Sequence, residues 1–178
     1  MYNPPRLQTP RLNLRPFQLE DATALFDYAS DPEFSQYLNY DPPRCPEDAI
    51  AFLQLVLAGE MGTNLWALTL TNSPTVISAV QFNLESPTLE SPTLASLHYE
   101  IARPLWNQGL ASEAIATVLT WAKTTHPQIP EIHADTHLEN TASRKLLEKF
   151  HFHLTTTQDH TAFYIHRAIA PTSPPPHP

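Results

Sequence analysis

Glycine is scarce in this chain, with 3 residues among 178, whereas proline occurs 19 times. With so few glycines, no stretch matches a phosphate-binding P-loop or a three-glycine dinucleotide fingerprint. The single cysteine, Cys45, permits no intrachain disulfide, which fits a reducing, cytoplasmic compartment. Cys45 is either a low-pKa nucleophile or an incidental thiol, and the absence of any motif in its Pro-rich surroundings favours the incidental thiol.

Basic residues and long apolar runs are also in short supply. The chain has 10 Lys and Arg against 18 Asp and Glu, a formal net charge of −8, which argues against nucleic acid as a partner. No run approaches the ~20 apolar residues of a membrane span, and the opening MYNPPRLQTP lacks the apolar core of a signal peptide. We therefore expect one folded domain over 1–168, a disordered Pro-rich tail over 169–178, and a monomer or homodimer.

The order of apolar patterns predicts a mixed α/β domain. Strands are expected at 11–15, 65–71, 75–84, 95–103, 131–137, 152–157 and 161–167, and helices at 19–30, 46–60, 109–123 and 140–149. The strands at 65–71 and 75–84 are separated by a short turn and should pair as a hairpin. Two copies of ESPTL, at 85–89 and 90–94, are too little for a repeat architecture and are interpreted as a surface loop.

One of the three glycines, Gly109, stands where a helix begins, within PLWNQGLASEA at 104–114. The first N–H groups of a helix have no internal partner and carry partial positive charge, so a phosphate can accept several hydrogen bonds there. Gly109 lets a ligand approach the backbone, Ala111 keeps the next position small, and Ser112 adds a hydroxyl. Such a site needs little help from Lys or Arg. The pattern fits an anion site and an ordinary loop-to-helix junction about equally.

The chain resembles the GNAT superfamily of acyl-CoA-dependent N-acyltransferases, and within it the RimJ/RimL-type branch. The resemblance rests on TPRLNLRPFQLEDATALFDYASDPEFSQYL, YEIARPLWNQGLASEAI and ENTASRKLLEKFHF. It implies the GNAT fold, an α/β (α+β mixed) domain with a mostly antiparallel sheet of about 6–7 strands and about four helices. It also implies that WNQGLA, at 106–111, is the signature that holds the pyrophosphate of coenzyme A.

The same resemblance implies further roles near the second block, at 139–152. Asn140 matches the residue that bonds the pantetheine arm, and Ser143 matches the serine that faces the donor sulfur; on residue type alone both are helix caps. Leu147 stands where most of the superfamily has a tyrosine acid, so Ser143 or water must take that role. His151 replaces the usual glycine, at a left-handed position that costs a histidine more. The predicted cofactor contacts are Ile101, Ala102, Arg103, Gln108, Gly109, Leu110, Ala111, Ser112, Asn140 and Ser143.

The strand around YEIAR supplies the candidate chemistry for amine attack on a thioester. Backbone N–H groups at 99–103 are the natural donors to a tetrahedral oxyanion. Glu100 is the first candidate for the base, directly or through water, because an amine must be neutral to attack. The competing hypothesis makes Glu100 a structural acid paired with Arg103 or Arg15.

The acceptor should enter beside residues 31–49. Phe34, Tyr37 and Tyr40 predict a partly apolar mouth, although aromatic residues at such spacing are more often part of a core. Asp31, Glu33 and Asp41 are acids in the same segment that are able to attract a cationic amine.

Alternatives to this function remain open on the sequence. His133, Asp135 and His137 share one strand face, with His151 and His153 nearby, which would suit zinc; a polar face in a chain with 9 histidines explains them better, and we expect no metal. Acetyl transfer from acetyl-CoA to a primary amine is the leading function. Transfer of a longer acyl chain to a peptide or metabolite, and a catalytically silent CoA-binding module, are the other two.

Overall fold

An eight-stranded sheet organises residues 3–38, 40–85 and 94–167, the part of the chain that this computed structural model describes. Its strands are β1 (Leu7–Gln8), β2 (Leu12–Arg15), β3 (Leu65–Leu70), β4 (Val76–Glu85), β5 (Leu94–Ile101), β6 (Glu131–His137), β7 (His153–Gln158) and β8 (Thr161–Arg167). The α-helices are α1 (Ala22–Ala29), α2 (Pro32–Ser35), α3 (Pro46–Ala58), α4 (Leu110–Thr125) and α5 (Thr141–Lys149), with 3-10 turns at Leu19–Asp21 and Arg103–Leu105.

The sheet splits near its middle. Its strand order is β1-β2-β3-β4-β5-β6-β8-β7, and every neighbouring pair is antiparallel except β5 and β6. That parallel pair is short, joining only Ala95 with Ile132 and Ser96 with His133. From residue 97 onward β5 continues beside β4 alone and diverges from β6. A gap therefore opens between the two strands, with backbone groups of β5 along one wall.

Helices cover both faces of the sheet, which explains the burial pattern of β3. Its first five residues, LWALT, are all buried, whereas a strand with one wet face would alternate. Trp66 packs in the core cluster under α4, and Ala67 packs in the cluster under α1 and α3. Helices α4 and α5 therefore lie on one face of the sheet, and α1 and α3 lie on the other.

The predicted mixed, mostly antiparallel GNAT fold is confirmed, with small differences in count. The described residues contain eight strands rather than 6–7, because the two-residue β1 is too short to leave an apolar pattern. They contain five α-helices rather than four. The first predicted helix does end before Pro32, but Asp31 accepts a hydrogen bond from the backbone N–H of Glu33 at 2.9 Å and so starts α2.

Two predicted segments lie outside the described residues. These are most of the ESPTLESPTL loop, at 86–93, and the tail at 169–178. Among the described helices, none combines the length and apolar character needed to cross a membrane.

Candidate active site

A cleft of about 1410 Å³ occupies the gap between β5 and β6. The predicted residues that line it are Phe34, Tyr37, Tyr40, Glu100, Ile101, Gly109, Leu110, Ala111, Ser112, Asn140 and Ser143. Three predicted contacts, Ala102, Arg103 and Gln108, do not line it. A smaller hollow of about 670 Å³ at the edge formed by β1, β2 and the β3–β4 turn contains none of the predicted residues.

The cleft has two sides that differ in construction. One, the α4–α5 side, consists of Gly109–Ser112 at the start of α4 and Asn140–Ser143 at the start of α5. The other, the tyrosine side, consists of Tyr28, Tyr40 and Glu100. Strand β5 lies between them and contributes to both.

Backbone conformation explains the glycine at the start of α4. Gly109 has φ of 77°, in the left-handed region, and directly precedes the first helical residue. A Cβ built there would meet only Nη2 of Arg11, at an ordinary 3.6 Å. The left-handed turn therefore favours glycine here, and the space around the residue does not demand it. The turn brings the first residues of α4, whose N–H groups have no helical partner, to the cleft, where Ala111 and Ser112 line the wall.

Two cations flank this loop, and the sequence analysis named neither. Nη1 of Arg11 donates to the carbonyl of Gln108 at 2.9 Å, while its Nε pairs with Glu113 at 2.6 Å. Nζ of Lys149 donates to Oγ of Ser112 at 3.0 Å. The expectation that an anion would bind here with little help from Lys or Arg stays a prediction, but two cations do lie close to the loop. Arg11 lies 97 residues from Gln108, so no local pattern could have revealed it.

Asn140 and Ser143 meet at the first turn of α5. Oδ1 of Asn140 accepts a hydrogen bond from the backbone N–H of Ser143 at 3.0 Å, so Asn140 caps the helix. Because that bond uses the amide oxygen, the amide NH₂ of Asn140 is left to serve the cleft. Capping and cleft lining are therefore compatible at this residue.

Tyr99, which the sequence analysis passed over, contacts Ser143. Its hydroxyl lies 2.8 Å from Oγ of Ser143 and 3.2 Å from the carbonyl oxygen of the same residue. Burial raises the pKa of Tyr99 to about 12, so its hydroxyl stays protonated near neutral pH. Leu147, at the position of the superfamily's usual tyrosine, is 1% exposed in the core.

Glu100 is held by two tyrosines on the other face of β5. Its Oε1 accepts a hydrogen bond from Tyr28 at 3.0 Å, and its Oε2 accepts one from Tyr40 at 2.7 Å. Burial raises the pKa of Glu100, against the two tyrosine hydrogen bonds that lower it. The pKa values of Tyr28 and Tyr40 are raised too, chiefly because their hydroxyl groups are buried against Glu100, so both hydroxyls remain donors.

The partners expected for a structural Glu100 are wrong. Arg15 instead forms a two-bonded ion pair with Asp21, at 2.7 and 2.8 Å. Arg103 pairs with Asp31 at 2.7 Å and with Glu33 at 3.1 Å. Arg103 therefore neutralises part of the negative charge of these two acids, and their attraction of an amine stays a prediction.

The backbone of β5 alternates between β4 and the gap. The N–H of Ala102 donates to Ile77 at 3.0 Å, and the carbonyl of Glu100 accepts from the hydroxyl of Ser78, so even-numbered residues face β4. By the alternation of a strand, the backbones of Tyr99 and Ile101 face the gap. The carbonyl of Ile101 is bound by the indole N–H of Trp106 at 2.6 Å. Of the backbone N–H groups at 99–103 that were considered as oxyanion donors, those of Tyr99 and Ile101 remain as candidates.

The three aromatic residues predicted at the acceptor mouth have different surroundings. Phe34 is 6% exposed and packs edge-on against Tyr28, with ring centroids 5.3 Å apart. Tyr37 stacks on His137 at 5.3 Å, across the cleft. Tyr40 is 48% exposed and reaches Glu100. Phe34 therefore belongs mainly to the core, and Tyr40 forms the accessible rim.

The histidines considered for zinc have other neighbours. Nε2 of His133 lies 3.5 Å from a carboxylate oxygen of Glu131, and His137 stacks between Tyr37 and His160. Across residues 3–38, 40–85 and 94–167, no group of three His, Cys, Asp or Glu side chains is arranged to hold a metal ion.

His151 has φ of 60°, so it does adopt the left-handed conformation in place of the family's glycine.

Comparison with known proteins identifies the family. The GNAT acetyltransferase domain matches residues 11–153. A curated relative from Bacillus licheniformis, the uncharacterized N-acetyltransferase p20, is 32% identical over 148 residues, covering 82% of this chain and 81% of the relative.

Solved structures agree at the level of the fold. A GNAT acetyltransferase from Bacillus anthracis superposes with a TM-score of 0.76 at 20% identity, covering 92% of this chain and 98% of its own. RimL, a ribosomal L7/L12 α-N-protein acetyltransferase solved in complex with coenzyme A, superposes with a TM-score of 0.75 at 16% identity. The superposition covers 94% of this chain and all of the RimL chain. That fold agrees with the RimJ/RimL-type branch that the sequence resembles. The chain thus belongs to the GNAT family of acetyltransferases and is an N-acetyltransferase.

Proposed function

We propose that this N-acetyltransferase moves the acetyl group of acetyl-CoA directly onto a primary amine within one ternary complex. The observation that carries the proposal is the shared cleft, in which the start of α4 and the carboxylate of Glu100 lie on opposite sides of β5. An acyl donor on the α4–α5 side and an amine on the tyrosine side would meet at the gap-facing backbone of β5.

The α4–α5 side suits an acyl-CoA in three respects. The pyrophosphate would accept hydrogen bonds from the first N–H groups of α4, with Lys149 and Arg11 adding positive charge nearby. The pantetheine arm would accept a hydrogen bond from the amide NH₂ of Asn140. The family resemblance and the coenzyme A seen in the RimL structure support this choice of ligand.

Direct attack requires only a neutral amine and a polarised thioester. The N–H groups of Tyr99 and Ile101 would donate to the carbonyl oxygen as it becomes an oxyanion. Glu100, directly or through one water, would take the proton that the amine loses, because burial makes its carboxylate a stronger base than an exposed one. The thiolate of coenzyme A leaves toward Ser143, and no cysteine or serine nucleophile takes part.

The acceptor would approach past Tyr40. Of the acids near this mouth, Asp31 and Glu33 are paired with Arg103, and Asp41 lies 3.5 Å from Arg44. Glu100 is thus the carboxylate best placed to attract the amine itself. A protein or peptide N-terminus, a lysine and a small amine all carry the required group.

The test is acyl transfer with a choice of donors and acceptors. The protein is incubated with acetyl-CoA or a longer acyl-CoA and a panel of amines and peptides, while free thiol and acceptor mass are followed. We expect thiol release that depends on both acetyl-CoA and amine, with an acetylated acceptor. Faster release from longer donors would favour the longer-chain function. Coenzyme A binding without release from any donor would identify a silent binding module and contradict the proposal.

A further inference from the structure

We propose that Tyr99 is a positioning residue that directs the hydroxyl proton of Ser143 toward the sulfur of the acyl donor. The inference rests on the proposed function, because it needs a thioester sulfur on the α4–α5 side. Its basis is the contact between the two hydroxyl groups at the wall of the cleft.

The two hydroxyl groups can arrange their protons in more than one way. Either hydroxyl can donate across the 2.8 Å between Tyr99 and Oγ of Ser143, and Tyr99 can instead donate to the carbonyl oxygen of Ser143, at 3.2 Å. The proposed role requires the arrangement in which Tyr99 donates to Oγ, at a normal O–H···O distance. Oγ then accepts from Tyr99, and the Ser143 proton is available to an acceptor in the cleft, which Ser143 lines. In the opposite arrangement, Tyr99→Phe would not raise the pKa of the bound thiol.

The neighbouring residues explain why a tyrosine from β5 is placed here. Ser143 and Leu147 are one helical turn apart, on the same side of α5. Leu147 is fully aliphatic and 1% exposed, so this turn of α5 offers no second hydroxyl. Tyr99 brings one from the facing strand instead, across 44 residues of sequence.

Relative acidity decides whether Tyr99 gives up its proton or only holds it. The pKa of Tyr99 is about 12, whereas a thiol has a pKa near 8.5. Complete transfer from Tyr99 to the departing thiolate is therefore unfavourable. The pair acts by hydrogen bonding: Tyr99 fixes Ser143, and Ser143 stabilises negative charge on the sulfur.

The bonds, electrons and protons of the acetyl transfer are all accounted for when Ser143 only hydrogen-bonds the sulfur. The nitrogen lone pair forms the C–N bond, and the C–S bond breaks with its electron pair going to sulfur. The amine proton goes to Glu100 or water. The thiolate keeps its charge under the Ser143 hydrogen bond until it takes a proton from solvent.

The experiment measures the pKa of the coenzyme A thiol when it is bound to the protein. Thiolate absorbance is titrated against a ligand-free blank for the wild type, Tyr99→Phe, Ser143→Ala and the double variant. Tyr164→Phe is the matched control, because it also removes a hydroxyl bonded to α5, at Arg144, but one outside the cleft. Acetyl transfer by the same proteins is measured in parallel.

A lower thiol pKa in the wild type is the expected result. Tyr99→Phe should raise it by roughly one unit, the size of a hydrogen bond to a charged group. Ser143→Ala should raise it at least as much, and adding Tyr99→Phe to Ser143→Ala should change nothing further. In transfer, kcat should fall while KM for the donor stays nearly constant. Tyr164→Phe should match the wild type.

Three outcomes would overturn the inference. In the first, the bound thiol has the same pKa in Tyr99→Phe as in the wild type. In the second, Tyr164→Phe raises that pKa as much as Tyr99→Phe does. In the third, the pKa shifts of Tyr99→Phe and Ser143→Ala add in the double variant, which would mean that Tyr99 contacts the sulfur directly. A normal titration pattern without acetyl transfer would contradict the proposed function alone. Failure to bind coenzyme A at millimolar concentration would contradict both.

Discussion

The α4–α5 side and the tyrosine side of the cleft are built by different means. The first uses backbone N–H groups and short side chains from two contiguous stretches, 109–112 and 140–143. The second joins Tyr28 from α1, Tyr40 from the segment before α3 and Glu100 from β5. A ligand on the first side would therefore meet mostly main-chain groups and short side chains, and a ligand on the second would meet longer side chains.

Because of this difference, the two sides of the cleft should differ in how sensitive they are to substitution. A main-chain site tolerates many sequences as long as its turns are kept, as Gly109 shows at φ of 77°. A side-chain site changes with every substitution. We infer that the α4–α5 side fixes the donor class and the tyrosine side selects the acceptor. Substitutions on the two sides should therefore affect different measurements.

The largest effect is expected on the tyrosine side, from Glu100→Gln. This change keeps the shape of the side chain and removes its basicity, so kcat should fall by ~10²–10⁴ at neutral pH. Coenzyme A affinity should stay constant, because Glu100 lies away from the start of α4. Steady-state rates across pH, together with calorimetric affinities, test this. A wild-type rate at every pH would make Glu100 structural.

The sign of the pH dependence follows from the raised pKa of Glu100. In the proposed mechanism Glu100 acts as the carboxylate, so the wild-type rate should fall, as pH drops, at a higher pH than for an ordinary glutamate. Glu100→Gln should lack that limb and recover partly at high pH, where the amine is neutral. In stability, a raised pKa means that folding favours the protonated acid. The contribution of Glu100 to the free energy of unfolding is therefore present at low pH and is lost as pH rises through the folded-state pKa. Glu100→Gln should accordingly gain stability relative to the wild type at high pH.

A smaller effect is expected on the α4–α5 side, from Lys149→Gln. Lys149 reaches Ser112 from an exposed position, so losing its charge should weaken coenzyme A binding by roughly two- to fivefold. The loss should fade with added salt, because exposed charges are screened. Lys123→Gln, in the last turn of α4, removes the same charge and should leave affinity unchanged. Equal losses in both variants would indicate a general charge effect.

Most residues that were predicted for the α4–α5 side do line the cleft, although spacing alone left an anion site and an ordinary helix start equally open and the family resemblance chose between them. The glycine at a helix start and the Asn-x-x-Ser pair are both visible within four residues. The tyrosine side was less predictable. Tyr40 was named for the mouth, but its bond to Glu100 spans 60 residues, and that of Tyr28 spans 72. Such pairings depend on tertiary packing that periodicity does not report.

The fold shows the same limit. The long periodic segments gave the hairpin of β3 and β4, the helices α3, α4 and α5, and the mixed sheet. The divergence of β5 from β6 after residue 96 has no sequence signature, yet it creates the cleft. Likewise, no local pattern predicted that Arg103 pairs with Asp31 and Glu33, two acids that were proposed to attract the acceptor.

Calorimetric binding of coenzyme A to the wild type, Gly109→Ala and Gly59→Ala tests the central claim most directly. Both glycines are left-handed, with φ of 77° and 82°, so alanine should cost each variant roughly 1–2 kcal/mol of unfolding free energy. Gly59 follows α3, outside the cleft. The account predicts tight binding by the wild type and Gly59→Ala, and affinity at least about tenfold weaker for Gly109→Ala, a loss of ~1.4 kcal/mol. Equal affinity in all three proteins, or no binding by the wild type, would contradict it.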